Sequence, residues 1–249
     1  MAFARVPLDD AFTSLLAFDW GGDPAPLETI DAAVVECHGD AALTADLERR
    51  LVAVVTGSAS RAAKEYAFRK LALIGTPTSV PGLAPLLADP DESHMARFAI
   101  ERIPGPEAAA ALRQALGTAR GDIVIGMISS LANRHDEASV EPLSILVRGE
   151  STSVAMAAAS ALGRIATRDA AAALAAAAAK PGPVAAAVID ARLACADALA
   201  AAGDRTAARS IYEAIAAEVG DAPQTRRDRA IRIAARSGVL ACLDDTVGP

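Results

Sequence analysis

The chain has 249 residues, of which 53% are hydrophobic, 22% charged and 3% aromatic, and its formal net charge is −7. So much apolar content supports a continuous core and excludes disorder along the chain as a whole. The acidic balance and the scarcity of aromatic rings disfavour a protein that grips nucleic-acid phosphates or stacks bases, because such a protein needs a positive field and aromatic platforms.

The first predicted element is a helix over residues 8–18, which a turn-forming sequence at residues 19–24 brings to an end. Aromatic residues concentrate here: Phe3, Phe12 and the only tryptophan, Trp20, lie within the first twenty residues. We expect this segment to cover the apolar end of the first helical hairpin as a cap. The alternative is a hook with which Trp20 binds a partner.

Neither a secretion signal nor a membrane span is predicted. Residues 1–10 lack the basic start and the apolar run of a secretion signal. The longest apolar stretch, residues 170–179, is only ten residues long. We therefore expect a soluble, cytoplasmic protein that does not bind membranes.

Large aliphatic residues recur in pairs, twelve residues apart, about every 30 residues along the chain. A repeat of this length is typical of stacked helical hairpins, because one hairpin cannot bury its own apolar face and needs a similar neighbour. The sequence therefore predicts an all-α fold, a right-handed α-solenoid of about seven helical hairpins with an elongated body. We call these residues the aliphatic ladder: Val35/Leu47, Leu71/Leu83, Ile100/Leu112, Leu131/Leu143, Leu162/Leu174, Leu199/Ile211 and Ile231/Leu243.

A second set of small or apolar residues keeps helical spacing to the ladder. One member lies four residues before the first anchor of a pair, and another lies three residues before the second anchor. Together with the ladder they form an i, i+3, i+4 stripe on both helices, which predicts that they are buried. These residues are Ala67, Ala96, Met127 and Ala158 in first helices, and Val80, Ala109, Val140 and Ala171 in second helices.

The turns inside the central pairs carry residues that end and start helices. Gly75, Gly105 and Asn133 can take the left-handed conformation that ends a helix, and a Pro near the next helix start or a capping Thr or Asp follows. The corresponding turn at residues 165–169 has no glycine, so we expect it to be the least sharply defined.

No catalytic, cofactor or metal site is predicted. The sequence has no GxSxG, HExxH, GxGxxG or GxxxxGK[ST] motif. Its three cysteines, Cys37, Cys195 and Cys242, are far apart and odd in number, so no disulfide framework is implied. Cys37-His38 is the only adjacent Cys/His pair and supplies too few ligands for a metal, so we expect buried thiols and surface histidines.

The only local surface feature that suggests binding is a row of arginines near the C-terminus. Arg226, Arg229, Arg232 and Arg236 follow one another at steps of three, three and four, so they share one face of a helix, with Arg227 beside them. Two interpretations are open. The row is either the solvated polar face of a terminal capping helix or a docking surface for an acidic partner.

The central stretch, residues 62–179, resembles HEAT-like repeats of the short bacterial kind that is also found in phycobilin lyases. The resemblance is carried by Ala-Leu-Ile-Gly-Thr at residues 72–76, by Ala-Leu-Gly-Arg-Ile at residues 161–165, and by the Val-x-x-Leu steps that end at Leu83 and Leu143. Residues 196–218 look instead like a tetratricopeptide hairpin. This predicts a capping segment over residues 1–24, HEAT-like repeats over 25–183 and C-terminal helical repeats over 184–249.

The resemblance implies a non-catalytic protein–protein interaction scaffold or adaptor, in which the second helices of successive repeats line one binding surface. An accessory or chaperone-like protein for a cofactor-bearing enzyme, as among the lyases, is the alternative. A nucleic-acid binder of the HEAT-like alkylpurine glycosylase type is less favoured, because the chain is acidic and poor in aromatic residues. No catalytic residue of a lyase can be matched here. The expected partner is another protein, with Arg226, Arg229, Arg232, Arg236 and Trp20 as candidate contacts, and association between copies of the chain is left open.

Overall fold

The computed structural model of the protein describes residues 6–177, 182–220 and 225–243. Within these ranges the chain is helical and contains no β-strand, which confirms the all-α prediction. None of the helices described is long and apolar enough to cross a membrane.

Fourteen α-helices, joined mostly by short turns, account for most of the described residues. They are α1 Leu8–Ala17, α2 Glu28–Glu36, α3 Ala41–Thr56, α4 Arg61–Ile74, α5 Val80–Leu83, α6 Ser93–Ile100, α7 Pro106–Thr118, α8 Asp122–Asn133, α9 Val140–Val147, α10 Thr152–Ile165, α11 Arg168–Ala176, α12 Pro183–Ala201, α13 Arg205–Val219 and α14 Arg226–Ala241. Short 3-10 turns lie at Ala25–Leu27, Pro77–Ser79, Ala84–Ala88 and Glu137–Ser139. Along the chain, six pairs of consecutive helices from α2 to α13 stand between α1 and α14.

The chain divides into two compact units, residues 1–127 and 128–249. In the first unit, α4 packs against α3 and α6, while α5 packs against α3 and α7. In the second unit, α9 packs against α11, and α12 packs against α10, α13 and α14. Within each unit, therefore, first helices of consecutive pairs contact one another and second helices do the same. The domain boundaries at residues 24 and 183 stay predictions.

Short polar side chains fix where several helices begin. Each accepts a hydrogen bond from a backbone N–H two or three residues further on, which satisfies donors that the first turn of a helix leaves without a partner. These capping residues are Asp40 for α3, Ser60 for α4, Ser151 for α10, Thr167 for α11, Asp204 for α13 and Thr225 for α14.

The aliphatic ladder forms much of the core. Eleven of its fourteen residues are buried, and six of the eight residues in the second set are buried with them. Ile211, Leu243, Val140 and Ala171 are half-buried. The stripe predicted from the sequence is therefore confirmed for most of the central helices.

The prediction is wrong at the first ladder residue, Val35, whose side chain is 75% exposed. In α2 the buried positions are Ile30 and Ala33, and Cys37 directly after the helix is buried too. These three residues follow one another at steps of three and four, so they occupy the inward face of the helix. Val35 lies on the opposite, outward side of the helix. In the first repeat the core is therefore formed by Ile30, Ala33 and Cys37 and not by the ladder residue.

The prediction that the last ladder pair, Ile231 and Leu243, lies on two helices of a hairpin is also wrong. Ile231 lies inside α14 and Leu243 lies two residues beyond its end, so the twelve-residue spacing follows a single helix. Within residues 225–243, α14 is thus a single terminal helix, not the first half of a seventh hairpin.

The turns differ from prediction in which residue takes the left-handed conformation. Gly75 ends α4 with a φ of −59°, and a Cβ there would lie 2.9 Å from the side chain of Ile103, so the small residue is required by close approach. Gly105 has a φ of 92° but precedes α7, and in the third turn the left-handed residue is His135, not Asn133. The turn without glycine is as well defined as the others, because Ala166 takes the left-handed conformation itself.

At the N-terminus α1 confirms the helix predicted for residues 8–18. Phe12 and Leu15 are buried, and α1 packs against α2 and α4. The guanidinium of Arg50 lies 5.4 Å from the centroid of the Phe12 ring and also forms an ion pair of 2.6 Å with Asp9. The helix therefore covers the start of the first unit, as a cap should. Phe3, which was also assigned to the cap, lies outside the described residues.

Candidate functional site

The helix that carries the arginine row begins at a capping box. The hydroxyl of Thr225 accepts a hydrogen bond of 3.0 Å from the backbone N–H of Asp228, and the Asp228 carboxylate accepts one of 3.0 Å from the N–H of Thr225. This reciprocal arrangement satisfies two donors at the helix start and fixes the first turn. The negative charge of Asp228 also suits the positive end of the helix dipole.

The inward face of α14 sets how closely the helix approaches α13. Ile231 and Ala235 are buried there, with Cys242 directly after the helix. A Cβ at Gly238 would lie about 2.5–2.6 Å from atoms of the Tyr212 ring, so only glycine permits this packing. The Tyr212 hydroxyl in turn donates a hydrogen bond to the carboxylate of Asp197 on α12. The position of α14 is therefore held by α12 and α13.

The predicted arginines do not all lie in one environment. Arg226, Arg229 and Arg236 are exposed, whereas Arg232 is half-buried toward the flank of the helix. Arg227 lies on another side and reaches α12, where its guanidinium donates to both carboxylate oxygens of Asp190 at 2.7 and 2.8 Å. Arg227 therefore links α14 to α12. The arginines that face outward are Arg226, Arg229 and Arg236.

Two large aliphatic side chains share the outward side of α14 with these arginines. Ile233 is 60% exposed and Leu240 is 62% exposed. With the arginines they follow a spacing of three, four, three and four residues, which is the spacing with which one helix meets another along a seam. We call this set the α14 outward face: Arg226, Arg229, Ile233, Arg236 and Leu240.

The sequence analysis missed Ile233 and Leu240. The signal was present, because the two residues continue the steps of three and four that start at Arg226. Spacing alone does not separate these two residues from core residues, because aliphatic side chains in a helix are usually buried. The two exposed aliphatic side chains distinguish this face from an entirely polar capping face, and the choice between a solvated face and a docking surface stays a prediction.

The helix dipole disfavours the arginines at the start of α14. Arg226 is the first residue of the helix and Arg229 the fourth. A cation near the N-terminus of a helix is unfavourable by about 0.3–1 kcal/mol, since the dipole places partial positive charge there. The two residues therefore reduce the stability of the helix.

A cavity lies beside the α14 outward face. It has a volume of about 320 Å³ and is lined by Glu213 and Ala216 of α13 and by Arg236, Val239 and Leu240 of α14. Its size is near the lower limit of about 300 Å³ for ligand sites in proteins. The cavity can hold one large side chain, with an arginine and a carboxylate at its edge.

Trp20, the other candidate contact, does not act as part of the cap. It lies in the turn that follows α1, where its backbone N–H donates 2.8 Å to the Asp19 carboxylate. Its side chain is 69% exposed, and Leu16 on α1 is exposed as well. The cap is formed by Phe12 and Leu15, so Trp20 does not contribute to it, and the role of Trp20 as a partner contact stays a prediction.

The charge of the chain is strongly uneven. Residues 1–60 carry ten carboxylates and three basic side chains, which accounts for the whole formal charge of −7. Residues 61–249 carry 21 of each sign. Residues 225–243, in contrast, carry five arginines and one aspartate. The N-terminal segment is therefore strongly acidic and the last described helix strongly basic.

The second helices of the first unit form a bland surface. A cavity of about 330 Å³ lies between the segment that follows α5 and helix α7, lined by small or weakly polar side chains. These are Pro81, Ala84, Pro85, Ala88, Ala111, Gln114, Ala115 and Thr118. Nothing about these side chains indicates the chemistry of an occupant.

The cysteines are buried, as predicted for all three. Burial raises the pKa of the Cys195 thiol to about 11, so it stays protonated at neutral pH. Among the residues described, no three His, Cys, Asp or Glu side chains lie close enough together to hold a metal ion.

No protein-family model matches the chain, and no curated protein has significant similarity to its sequence. The resemblance to HEAT-like repeats and to a tetratricopeptide hairpin therefore rests on the motifs alone and stays a prediction.

Proposed function

We propose that the protein is a non-catalytic protein–protein interaction scaffold of the cytoplasm, built as a right-handed α-solenoid of HEAT-like repeats. Its docking surface is the α14 outward face. The occupant is an acidic, amphipathic segment of a partner, whose carboxylates meet the arginines and whose apolar side chains meet Ile233 and Leu240.

The observation that carries the proposal is the exposure of Ile233 and Leu240 on the same face as three exposed arginines, on a helix whose opposite face is packed. Apolar contacts supply most of the affinity at such a surface, and charged contacts supply orientation and the rate of encounter. Guanidinium groups suit carboxylates because their planar fork donates two hydrogen bonds at once. A helical partner with the same spacing of three and four residues can lie along this face.

The proposal is tested with two charge-reversal variants of equal net charge. Arg226→Glu with Arg229→Glu changes the α14 outward face, and Arg61→Glu with Arg148→Glu changes exposed arginines elsewhere. Proteins that bind the wild-type chain are captured, identified by mass spectrometry, purified, and titrated against each variant by calorimetry. We expect the first variant to bind at least about tenfold more weakly at low salt, where charges are least screened, and the second to bind as tightly as the wild type.

Equal loss in both variants would show that only net charge matters and would contradict the proposal. Unchanged binding by the variant at Arg226 and Arg229 would contradict it as well. Retention of double-stranded DNA that weakens with salt, and that depends on the same arginines, would favour the nucleic-acid alternative instead.

A further inference from the structure

We propose that the α14 outward face binds the N-terminal segment of a second copy of this chain, so that copies associate head to tail. The inference rests on the proposed function, since it names the partner of the same surface. The head is the surface formed by Trp20 and by the outward side of α2, and the tail is the α14 outward face with its adjoining cavity.

Charge complementarity selects this occupant. Residues 1–60 have a net charge of −7, whereas residues 225–243 carry four more positive than negative side chains. Opposite charges on two surfaces steer them together and suppress the pairing of either surface with itself. A tail–tail pair would oppose arginines and a head–head pair would oppose carboxylates, so the head-to-tail pair is the favoured one.

The spacing of side chains on α2 matches the spacing on α14. Glu28, Asp31 and Val35 are exposed and follow one another at steps of three and four. Asp31 also forms an ion pair of 2.6 Å with Lys70, which leaves Glu28 as the carboxylate of this set without an ion pair to the described residues of its own copy. The first half of the α14 outward face has the same steps, with two arginines and then Ile233. Two helical faces with equal spacing, opposite charge and one exposed aliphatic residue each can meet along a seam. Val35, which contributes nothing to the core, then has a role.

Trp20 fits the cavity beside the tail. An indole is the largest apolar side chain and is favoured as an anchor at protein interfaces. The cavity of about 320 Å³ is lined by apolar groups, with Arg236 and Glu213 at its edge. A guanidinium can lie over the indole ring, and a carboxylate can accept the indole N–H. The exposed tryptophan of one copy therefore finds both apolar and polar contacts in the next.

A head-to-tail contact uses two different surfaces of each copy, so a dimer keeps one free head and one free tail. Such heterologous contacts continue into rings or open chains unless something blocks an end. The wild-type protein is therefore expected to form dimers and larger species as its concentration rises. The size distribution distinguishes this association from a symmetric dimer, which stops at two copies.

The test uses two full-length variants, each with one intact surface. The head variant carries Trp20→Ala and Val35→Ala, and the tail variant carries Arg226→Glu and Arg229→Glu. All four side chains are exposed, so both variants should fold, which circular dichroism verifies. Matched controls are Leu73→Ala, an exposed aliphatic residue, and the reversal pair at Arg61 and Arg148.

Sedimentation velocity should show monomers for each variant alone and a dimer, with nothing larger, for their equimolar mixture. Trp20 is the only tryptophan, so the head variant has none and the fluorescence of the mixture reports the tail variant alone. Its emission should shift to shorter wavelength when the head variant is added, because the indole becomes buried. The controls should associate like the wild type.

Three results would overturn the inference. The first is a wild-type chain that stays monomeric across the concentration range, and the second is a mixture that stays monomeric. The third is self-association of either variant as strong as that of the wild type. The wild-type chain could be monomeric while its captured partner still requires Arg226 and Arg229 for binding. That result would refute the self-association and would support the proposed function. If the tail variant kept both self-association and binding to the captured partner, the inference and the proposed function would both be refuted.

Discussion

Ala166 ends α10 in a conformation that alanine rarely takes. Its φ is 55° and its ψ 44°, and its N–H donates to the Leu162 carbonyl at 3.1 Å. The left-handed conformation places the Cβ close to the following carbonyl oxygen and costs an L-residue about 1–2 kcal/mol. The turn is nevertheless well formed, because Thr167 caps α11 and the helices on both sides are packed. The sequence could not reveal this strain, since tertiary packing imposes it.

Replacing Ala166 with glycine should therefore stabilise the protein. Removal of the Cβ relieves the steric cost of the left-handed conformation. The greater backbone freedom of glycine in the unfolded chain offsets this gain in stability by about 0.5–1 kcal/mol. We expect the free energy of unfolding to rise by up to about 1 kcal/mol in urea titrations. Ala172→Gly, at an exposed position inside α11, is the control and should lower it by about 0.5–1 kcal/mol. Equal destabilisation by both changes would contradict the interpretation.

Tyr212 makes stability depend on alkaline pH. Burial, followed by the neighbouring Asp197 carboxylate, holds the pKa of its hydroxyl well above the ordinary value of 10.0. The folded state therefore keeps a proton that the unfolded state loses above about pH 10, so stability is complete below that pH and falls as the pH rises further. The pKa of Tyr66 is raised in the same direction, by burial and by Asp31.

The free energy of unfolding should decrease above about pH 10 by up to about 1.4 kcal/mol per pH unit for each such group. Urea titrations followed by circular dichroism at pH 8, 10 and 11 measure the slope. Tyr212→Phe should be less stable than the parent at pH 8, because Asp197 loses a hydrogen bond, but should lose less stability between pH 10 and 11. Parallel pH profiles would show that Tyr212 does not titrate as described.

At the scale of helices, the sequence predicted the central repeats well and the end repeats poorly. In the central helices the ladder residues face neighbours on both sides, so spacing alone identifies what is buried. At the ends one neighbour is missing, and the same spacing then marks an exposed residue in α2 and a single long helix in α14. The α14 outward face lies at such an end, which is why two of its five residues, Ile233 and Leu240, escaped prediction.

Two ladder residues make this distinction measurable. Leu131 is fully buried and Val35 is 75% exposed, although the sequence gives them equivalent positions. Leu131→Ala should lower the free energy of unfolding by about 2–5 kcal/mol, because it leaves a cavity in a packed interior. Val35→Ala should change it by no more than about 0.5 kcal/mol. Thermal and urea denaturation give both values, and a similar loss in the two variants would refute the register assigned to α2.

At the scale of the whole molecule, the uneven charge explains why the overall composition does not reveal a basic surface. The net charge of −7 is a sum that includes both an acidic N-terminal segment and a basic helix near the C-terminus. Both segments carry exposed apolar side chains, which composition also cannot show, because hydrophobic residues are assigned to the core by default. We therefore propose that binding takes place at α14 and not at the bland surface of the second helices in the first unit.

Hydrogen exchange followed by mass spectrometry tests this claim most directly. The wild-type chain is measured dilute, concentrated, and together with a purified partner. We predict that amide exchange slows in peptides that cover α14 when an occupant binds, while peptides that cover α5 and α7 exchange at an unchanged rate. Slower exchange in α5 and α7 with no change in α14 would contradict the account and place the docking surface on the second helices.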